Sequence, residues 1–457
     1  QREFKNNVLP SRNQGLSGRA TYDYDQRYLF EFNFGYNGTE RLGKGDRFEF
    51  FPAVSLGWLV SNEKFFEPLS DVVSSLKLRG SYGLVGSDET GPSNAPHFLY
   101  IDQVQVTGNG RPGFTTGENL NVSYYGPVVQ QWAVQNGGWE RVKKLDVGFD
   151  MELFRELSIT FDFFYDKRYN ILLHREAWPQ SLGFHEAKPW SNKGKVDNWG
   201  YEVSTNWRKQ FTKDLTVDFR GTFTYTQNKY IDVDEPIYPY VWQTATGKPL
   251  NRRNGYIAEG LFQSQEEIDN SPTQNLGSKP MPGDIKYRDV DGNGVIDSKD
   301  QVMISKTANM PRIQYGFGVN IDWKRFNFGV FFNGSAMRDI NINGLHPFGQ
   351  NDYNAMKFVA ENRWTEANPN PNAEYPRLGL NDSQMSNNSQ SSTYWIRNGN
   401  FLRFKTLEIG YRFDHVRLYF TGNNLAVFSP FKLWDPELGW NSYPLQRTFC
   451  IGAQLSF

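Results

Sequence analysis

Apolar and polar residues alternate strictly along much of this chain, which is the period of a β-strand with two unlike faces. Tyr28, Phe30, Phe32, Phe34 and Tyr36 interleave with Leu29, Glu31, Asn33, Gly35 and Asn37. Leu145, Val147, Phe149, Met151 and Leu153 interleave with Asp146, Gly148, Asp150 and Glu152. The same period runs through Leu157–Tyr165, Leu215–Tyr225, Tyr315–Trp323 and Phe449–Phe457. Followed along the chain, it predicts thirteen strands, near 15–25, 28–37, 46–60, 75–86, 142–154, 157–169, 199–209, 214–228, 313–323, 326–336, 401–413, 415–426 and 445–457. Many run to roughly ten residues, longer than the usual globular strand of about five or six. About ten tilted residues is what a bilayer-spanning strand needs. Asp, Glu, Arg, Asn and Gly fill the second face, as in a water-filled lumen.

The connections alternate as well. Short ones fall at 26–27, 61–74, 155–156, 210–213, 324–325 and 414, and mostly long ones at 38–45, 87–141, 170–198, 229–312, 337–400 and 427–444. Short turns on one side and long loops on the other mark an outer-membrane barrel. A soluble β-sandwich also alternates, but a compact soluble domain rarely carries a structureless loop of 80 residues. Tyr24, Tyr28, Trp58, Trp207, Trp323, Tyr411 and Tyr419 fall at strand ends beside short turns, and Tyr36, Trp199, Tyr225 and Tyr315 at the opposite ends. Two aromatic girdles are expected where a barrel meets the two membrane interfaces. Thirteen is odd, so the first and last strands run the same way and cannot close an antiparallel barrel. Edges cannot stay unpaired in lipid, so further strands are expected ahead of residue 1.

Composition narrows the classes. Net charge is −1 over 457 residues, which gives no electrostatic reason to expect a nucleic-acid partner. Aromatic residues make up 16% of the chain, too many for wholesale disorder. No run of 18 apolar residues exists, so no transmembrane helix is expected. The single cysteine, Cys450, excludes an intramolecular disulfide framework and has the parity of the polar face in the last strand. The opening QREFKNNVLP carries no initiator Met and no signal peptide, as in a mature chain or a piece of a longer one; the strand arithmetic favours a piece. No HExxH, GxSxG or Walker A pattern appears, so an enzyme is not expected.

Seven segments carry a resemblance: LKLRGSYG (Leu76–Gly83), ITFDFFYDKRYNILL (Ile159–Leu173), PGDIKYRDVDGNGVID (Pro282–Asp297), EYPRL (Glu374–Leu378), FLRFKTLEIGYRF (Phe401–Phe413), VRLYFTGNNLAVFSPFKLWDPE (Val416–Glu437) and YPLQRTFCIGAQLSF (Tyr443–Phe457). Their order and spacing resemble the C-terminal half of the SusC-like TonB-dependent outer-membrane transporters. The resemblance implies an all-β transmembrane antiparallel barrel of about 22 strands, with about 13 of them here, in the outer membrane of a Gram-negative bacterium. It also implies an N-terminal plug, coupling to TonB, a SusD-like surface lipoprotein as lid, and import of oligosaccharides or peptides. Plug, TonB box and first strands are absent from this sequence and would come from the N-terminal part of the same transporter. The terminal Phe457 resembles the signal read by the barrel assembly machinery. A siderophore or vitamin receptor without a lid, and a soluble carbohydrate-binding β-protein, are the alternative readings.

Two sets of residues carry candidate chemistry. Asp289, Asp291, Asn293, the Val295 carbonyl, Asp297 and Asp300 occupy positions 1, 3, 5, 7, 9 and 12 of an EF-hand-type loop, with Gly294 at its sharp turn. That spacing suits Ca2+, although Asp300 replaces the usual bidentate Glu; a solvated polar turn is the plainer reading. The long loops carry most of the tryptophans, among them Trp132, Trp139, Trp242, Trp395 and Trp434. These rings are candidates for stacking on sugars or for the lid interface, with packing of the loops themselves as the alternative.

Overall fold

The computed structural model describes residues 12–88, 98–105, 112–134, 137–178, 188–308, 310–343, 356–379, 382–439 and 442–456. Phe457 lies outside them. All thirteen expected strands are present: β1 (Asn13–Tyr24), β2 (Tyr28–Thr39), β3 (Phe48–Leu59), β4 (Val73–Ser87), β5 (Glu140–Leu153), β6 (Leu157–His174), β7 (Trp190–Thr212), β8 (Leu215–Asp232), β9 (Ile313–Trp323), β10 (Phe326–Ala336), β11 (Phe401–Arg412), β12 (Val416–Phe428) and β13 (Thr448–Leu455). They form one sheet in sequence order, with neighbours antiparallel, as β1 is to β2 and β9 to β10. The chain divides into two compact units, with the first boundary inside β7 after Val203.

Register keeps the two faces apart across successive strands. In the first unit Ala20, Phe32, Val54, Tyr82, Leu145 and Tyr165 stand opposite one another in turn. In the second, Phe219, Val319, Val330, Leu407, Gly422 and Phe449 do the same. One residue along, the opposing set is Asp218, Asn320, Gly329, Glu408, Thr421 and Cys450. The apolar face stays open: Leu56 is 61% and Ile451 86% exposed. A bare apolar face of this extent calls for a non-aqueous neighbour. Aromatic stacking ties it together, with Phe317 and Phe332 5.3 Å apart and Phe332 and Phe404 4.7 Å apart.

The tight turns use left-handed backbone without glycine. Asp25 and Gln26 (φ 54° and 51°) and Phe154 and Arg155 (φ 53° and 58°) have the two positive φ values of a type I′ turn. Their closing hydrogen bonds run from Arg27 N to Tyr24 O (3.1 Å) and from Glu156 N to Leu153 O (3.0 Å).

The boundaries on either side of the third long connection differ most from the sequence reading. β7 begins at Trp190, nine residues before the expected start, and β6 runs on to His174. The 190–198 stretch lacks clean alternation. Gly194 lets the backbone close on Ile171 and Leu173 of β6, and Asn192 Nδ2 donates to Asn170 O at 2.8 Å. The loop expected at 170–198 therefore shrinks to 175–189. A bulge at Lys405, between Phe404 and Thr406, shifts the β11–β12 register, which simple alternation does not show.

The long connections fold on themselves. In the first unit Leu42, Phe51, Leu99, Val134, Trp139, Leu172 and Trp190 form one buried cluster. In the second, a larger core gathers Tyr256, Ile285, Tyr287, Ile296, Trp364, Tyr375, Met385, Trp395 and Phe431 from connections far apart in sequence. Short ladders brace it, including 253–255 with 302–305, 258–261 with 285–287, and 339–341 with 396–398.

Candidate functional site

Two surfaces carry the chemistry: the polar face of the sheet and the packed loops. On the first unit's polar face, the Arg79 guanidinium meets three carboxylates. Nε reaches Asp150 Oδ2 at 3.2 Å, Nη1 reaches Asp146 Oδ1 at 3.4 Å and Nη2 reaches Asp162 Oδ2 at 2.6 Å. Thr160 Oγ1 donates to Asp150 at 3.0 Å. β4, β5 and β6 place these groups by register, since Lys77 faces Asp150, Ser81 faces Asp146 and Gly148 faces Asp162. Asp146, Asp150 and Asp162 are thus linked through one cation.

On the second unit's polar face, a cavity of about 590 Å³ is lined by Arg208, Asp218, Arg220, Asp322, Asn327 and Glu408 among others. Arg417 pairs with Glu408, and its Nε donates to Asn327 Oδ1 at 3.2 Å. Arg220 sits 4.9 Å above the Phe331 ring. These groups offer many hydrogen bonds to a polar guest.

The loop core is held by buried polar residues that periodicity does not reveal. Asp284 is fully buried; its carboxylate pairs with the Arg377 guanidinium (Nε 2.6 Å from Oδ1) and accepts hydrogen bonds from Arg377 Nη2 (3.2 Å), Asn388 Nδ2 (2.8 Å) and Met281 N (2.9 Å). Burial pushes its carboxyl above the ordinary aspartate range, against the opposing pull of Arg377. Gln274 and Asn387 join the Ile285–Tyr287 segment to the 385–390 turn: Gln274 Nε2 donates to Asn387 Oδ1 at 2.6 Å, and Tyr287 N to Gln274 Oε1 at 2.7 Å. Arg403, 1% exposed, grips Asp435 through Nη2 at 2.7 and 2.8 Å and Glu437 through Nε at 3.1 Å. In sequence Arg403 is one arginine in an ordinary strand, and only the structure joins it to Asp435 and Glu437.

The acidic loop takes shape in part. Gly292 and Gly294 have φ of 73° and 84°, so the chain turns sharply at both. The carboxylates of Asp289, Asp291 and Asp300 lie within 4.8 Å of one another. Asp289 accepts from Gly292 N (2.8 Å) and Gly294 N (2.7 Å). Asp300 is fully buried and accepts from Val290 N (2.7 Å) and Asp297 N (2.9 Å). Asn293 Oδ1 accepts from Val295 N (2.7 Å). Val295 forms a short parallel pair with Thr273. Asp297 stays apart from the carboxylate group: its side chain accepts from Lys299 N at 2.7 Å and caps the turn at 298–300.

The five tryptophans separate. Trp139 (5% exposed) packs edge-on to Phe51 and donates to Arg47 O, and Trp395 (0%) donates to Asn388 O, so both are core residues. Trp434 is half-buried against Phe431. Trp132 is exposed. Trp242 stacks on Tyr240 with centroids 4.4 Å apart and donates to Lys299 O at 2.8 Å. A hydrogen bond to Asp291 raises the Tyr240 hydroxyl pKa, so this aromatic pair leans on the acidic loop.

No protein-family model matches the chain. TonB-dependent receptor SusC of Bacteroides thetaiotaomicron is 27% identical over 472 residues, covering 96% of this chain and 43% of SusC. TonB-dependent receptor P3 of Formosa agariphila is 26% identical over 483 residues, covering 96% and 45%. The RagAB peptide transporter superposes with a TM-score of 0.72 at 20% identity, over 98% of this chain and 47% of that one. Along almost its whole length the chain is similar to TonB-dependent receptors, SusC among them. Its thirteen-stranded sheet has the fold of the outer-membrane barrels, in which an apolar outer face meets lipid. The chain spans about half the length of the curated relatives it matches.

Proposed function

We propose that this chain is part of a SusC-like importer that carries oligosaccharides or peptides across the outer membrane. The observation that carries the reading is a two-faced sheet with packed long loops, combined with similarity to SusC along almost the whole chain. In this mechanism a SusD-like lipoprotein closes over the loops, and the ligand passes along the polar face while TonB pulls on a plug. No bond is made or broken. The outer edges of β1 and β13 have no neighbour among the described residues. On this reading they pair with further strands from the N-terminal part of the same transporter, which also supplies the plug. The superposed RagAB is a peptide transporter, which favours peptides between the two classes. The test is uptake of labelled oligosaccharide and peptide mixtures by cells with and without the gene, before and after the proton gradient is collapsed. Uptake of one class that needs both gene and gradient supports the reading. Uptake of both classes that ignores the gene overturns it.

Asp289, Asp291, Asn293, the Val295 carbonyl and Asp300 would hold Ca2+, with Asp297 left to its capping role. Oxygen donors on sharply turned backbone suit a hard cation. The ion would brace the loop against which Tyr240 and Trp242 lean. Of the five tryptophans, Trp132, Trp242 and Trp434 remain the candidates for ligand or lipoprotein contact.

A further inference from the structure

The short connection between β3 and β4 is the longest on its side, and it does not hang free. Glu63 accepts from the Tyr28 hydroxyl (2.6 Å) and Trp58 Nε1 (3.1 Å), and Arg27 Nη1 donates to it at 3.1 Å. Tyr28 and Trp58 belong to the lipid-facing set, so the connection folds back over the outer surface at the aromatic girdle. Asn62 Nδ2 ties it to the neighbouring turn at Gln26 O, 2.7 Å away. Within its 3-10 turn (Lys64–Leu69), Phe66 is buried. Phe65, which lies 6.4 Å from the Trp58 ring, is 65% exposed, and Leu69 is 54% exposed. Val72 and Phe154 are exposed beside them, and Phe154 N donates to Val72 O at 2.8 Å.

Tyr28 and Trp58, which hold Glu63, also line an apolar depression of about 650 Å³ together with Tyr22, Leu56, Leu78 and Val147. Gly80 lies in its wall, where a Cβ would meet nothing nearer than Asp146 O at 3.8 Å. Both features continue the lipid-facing surface without a break. An apolar protrusion that leaves an aqueous surface would be costly, whereas one at the girdle sits where aromatic and apolar side chains are favoured.

We propose that the 60–72 connection is a lipid-gripping foot: Phe65 and Leu69 insert into the leaflet on the short-turn side, and the apolar depression holds a phospholipid acyl chain. This rests on the outer-membrane reading of the sheet. Glu63, neutralised by Arg27 and two aromatic donors, pins the foot at the interface. The foot fixes the height of β3 and β4 in the bilayer.

The test uses the full-length transporter, carrying Cys450→Ser and no other reactive cysteine, reconstituted in phosphatidylethanolamine bilayers. Phe65→Cys, Leu69→Cys, Glu67→Cys and, on the lipid face of β10, Phe328→Cys are each labelled with a fluorophore. The expected result is that labels at 65, 69 and 328 lose most of their emission to nitroxide-bearing phospholipid and little to aqueous iodide, with the reverse at 67. Quenching by lipid at 328 but by iodide at 65 and 69 overturns the foot alone. Failure at 328 as well overturns the membrane reading. Shielding from both quenchers at 65 and 69 assigns the surface to a protein partner and also overturns the proposal. Native mass spectrometry should show fewer retained phospholipids in Gly80→Leu than in the parent. Equal retention removes the acyl-chain assignment.

Discussion

Replacing Arg377 by Met would strip the fully buried Asp284 carboxylate of its cation while keeping a side chain of similar length. Asn388 Nδ2 and Met281 N would remain as donors, so the carboxylate keeps two hydrogen bonds and loses its charge partner. Leaving such a charge unpaired costs about 3–5 kcal/mol. Because each 1.4 kcal/mol is about tenfold, opening of the loop core should rise from roughly a hundredfold to a few thousandfold. Asp284 joins the 281–285 turn to the 388 turn, so the amides of 274–287 and 385–390 should respond together. Hydrogen exchange of the full transporter in detergent would read this directly, with strand peptides from β9 and β10 as an internal reference. The pH dependence has a definite sign. Burial already raises the Asp284 carboxyl, and loss of Arg377 raises it further. Between the ordinary aspartate value and the raised one, the folded state binds more protons than the unfolded state, so stability rises as pH falls through that window. The exchange defect of Arg377→Met should therefore shrink on acidification. Unchanged exchange, an equal rise in the strands, or a defect that grows as pH falls would refute the reasoning.

Other perturbations test separate parts of the structure. Arg403→Met should release the 429–439 segment, with protease cutting near Trp434, while Asp435→Asn alone should do less because Glu437 still pairs with Arg403. Val319→Arg, on the lipid face of β9, should lower barrel stability by about 2–4 kcal/mol in heat-modifiability assays. Asn320→Arg, its neighbour on the polar face, should be nearly neutral. Trp395→Ala should cost about 3–5 kcal/mol in the loop core, seen as early proteolysis of the loops, with the strands intact. If Ca2+ occupies the acidic loop, chelation should change tryptophan emission through Trp242, and Asp289→Asn should abolish that response; emission indifferent to both would remove the ion from the loop.

The strands were legible because a membrane sheet imposes one rule on every residue, lipid on one side and water on the other. That rule writes a period of two into Leu215–Tyr225 and Tyr315–Trp323 alike. The start of β7 was not legible, since Ser191–Asn198 lacks clean alternation and is held against β6 by the close approach at Gly194 and the Asn192–Asn170 hydrogen bond. The loop core left no periodic trace, as its members come from connections more than a hundred residues apart, such as Gln274 and Asn387. For the same reason Trp139 and Trp395, candidates for surface contact on sequence, turned out to be packing residues. The acidic loop was legible as a spacing, but only the structure separates Asp297, turned to cap 298–300, from Asp289, Asp291 and Asp300. Nothing in the sequence around Glu63 marks it as the joint between Arg27, Tyr28 and Trp58, because that contact depends on two turns meeting.

The most direct measurement is to isolate the full-length protein from outer membranes in detergent and identify by mass spectrometry everything that stays with it. The expected result is a heat-modifiable barrel that needs detergent and copurifies with a lipoprotein. A protein that is monodisperse without detergent, alone and with its apolar strand faces buried, would contradict the membrane barrel and with it the proposed import.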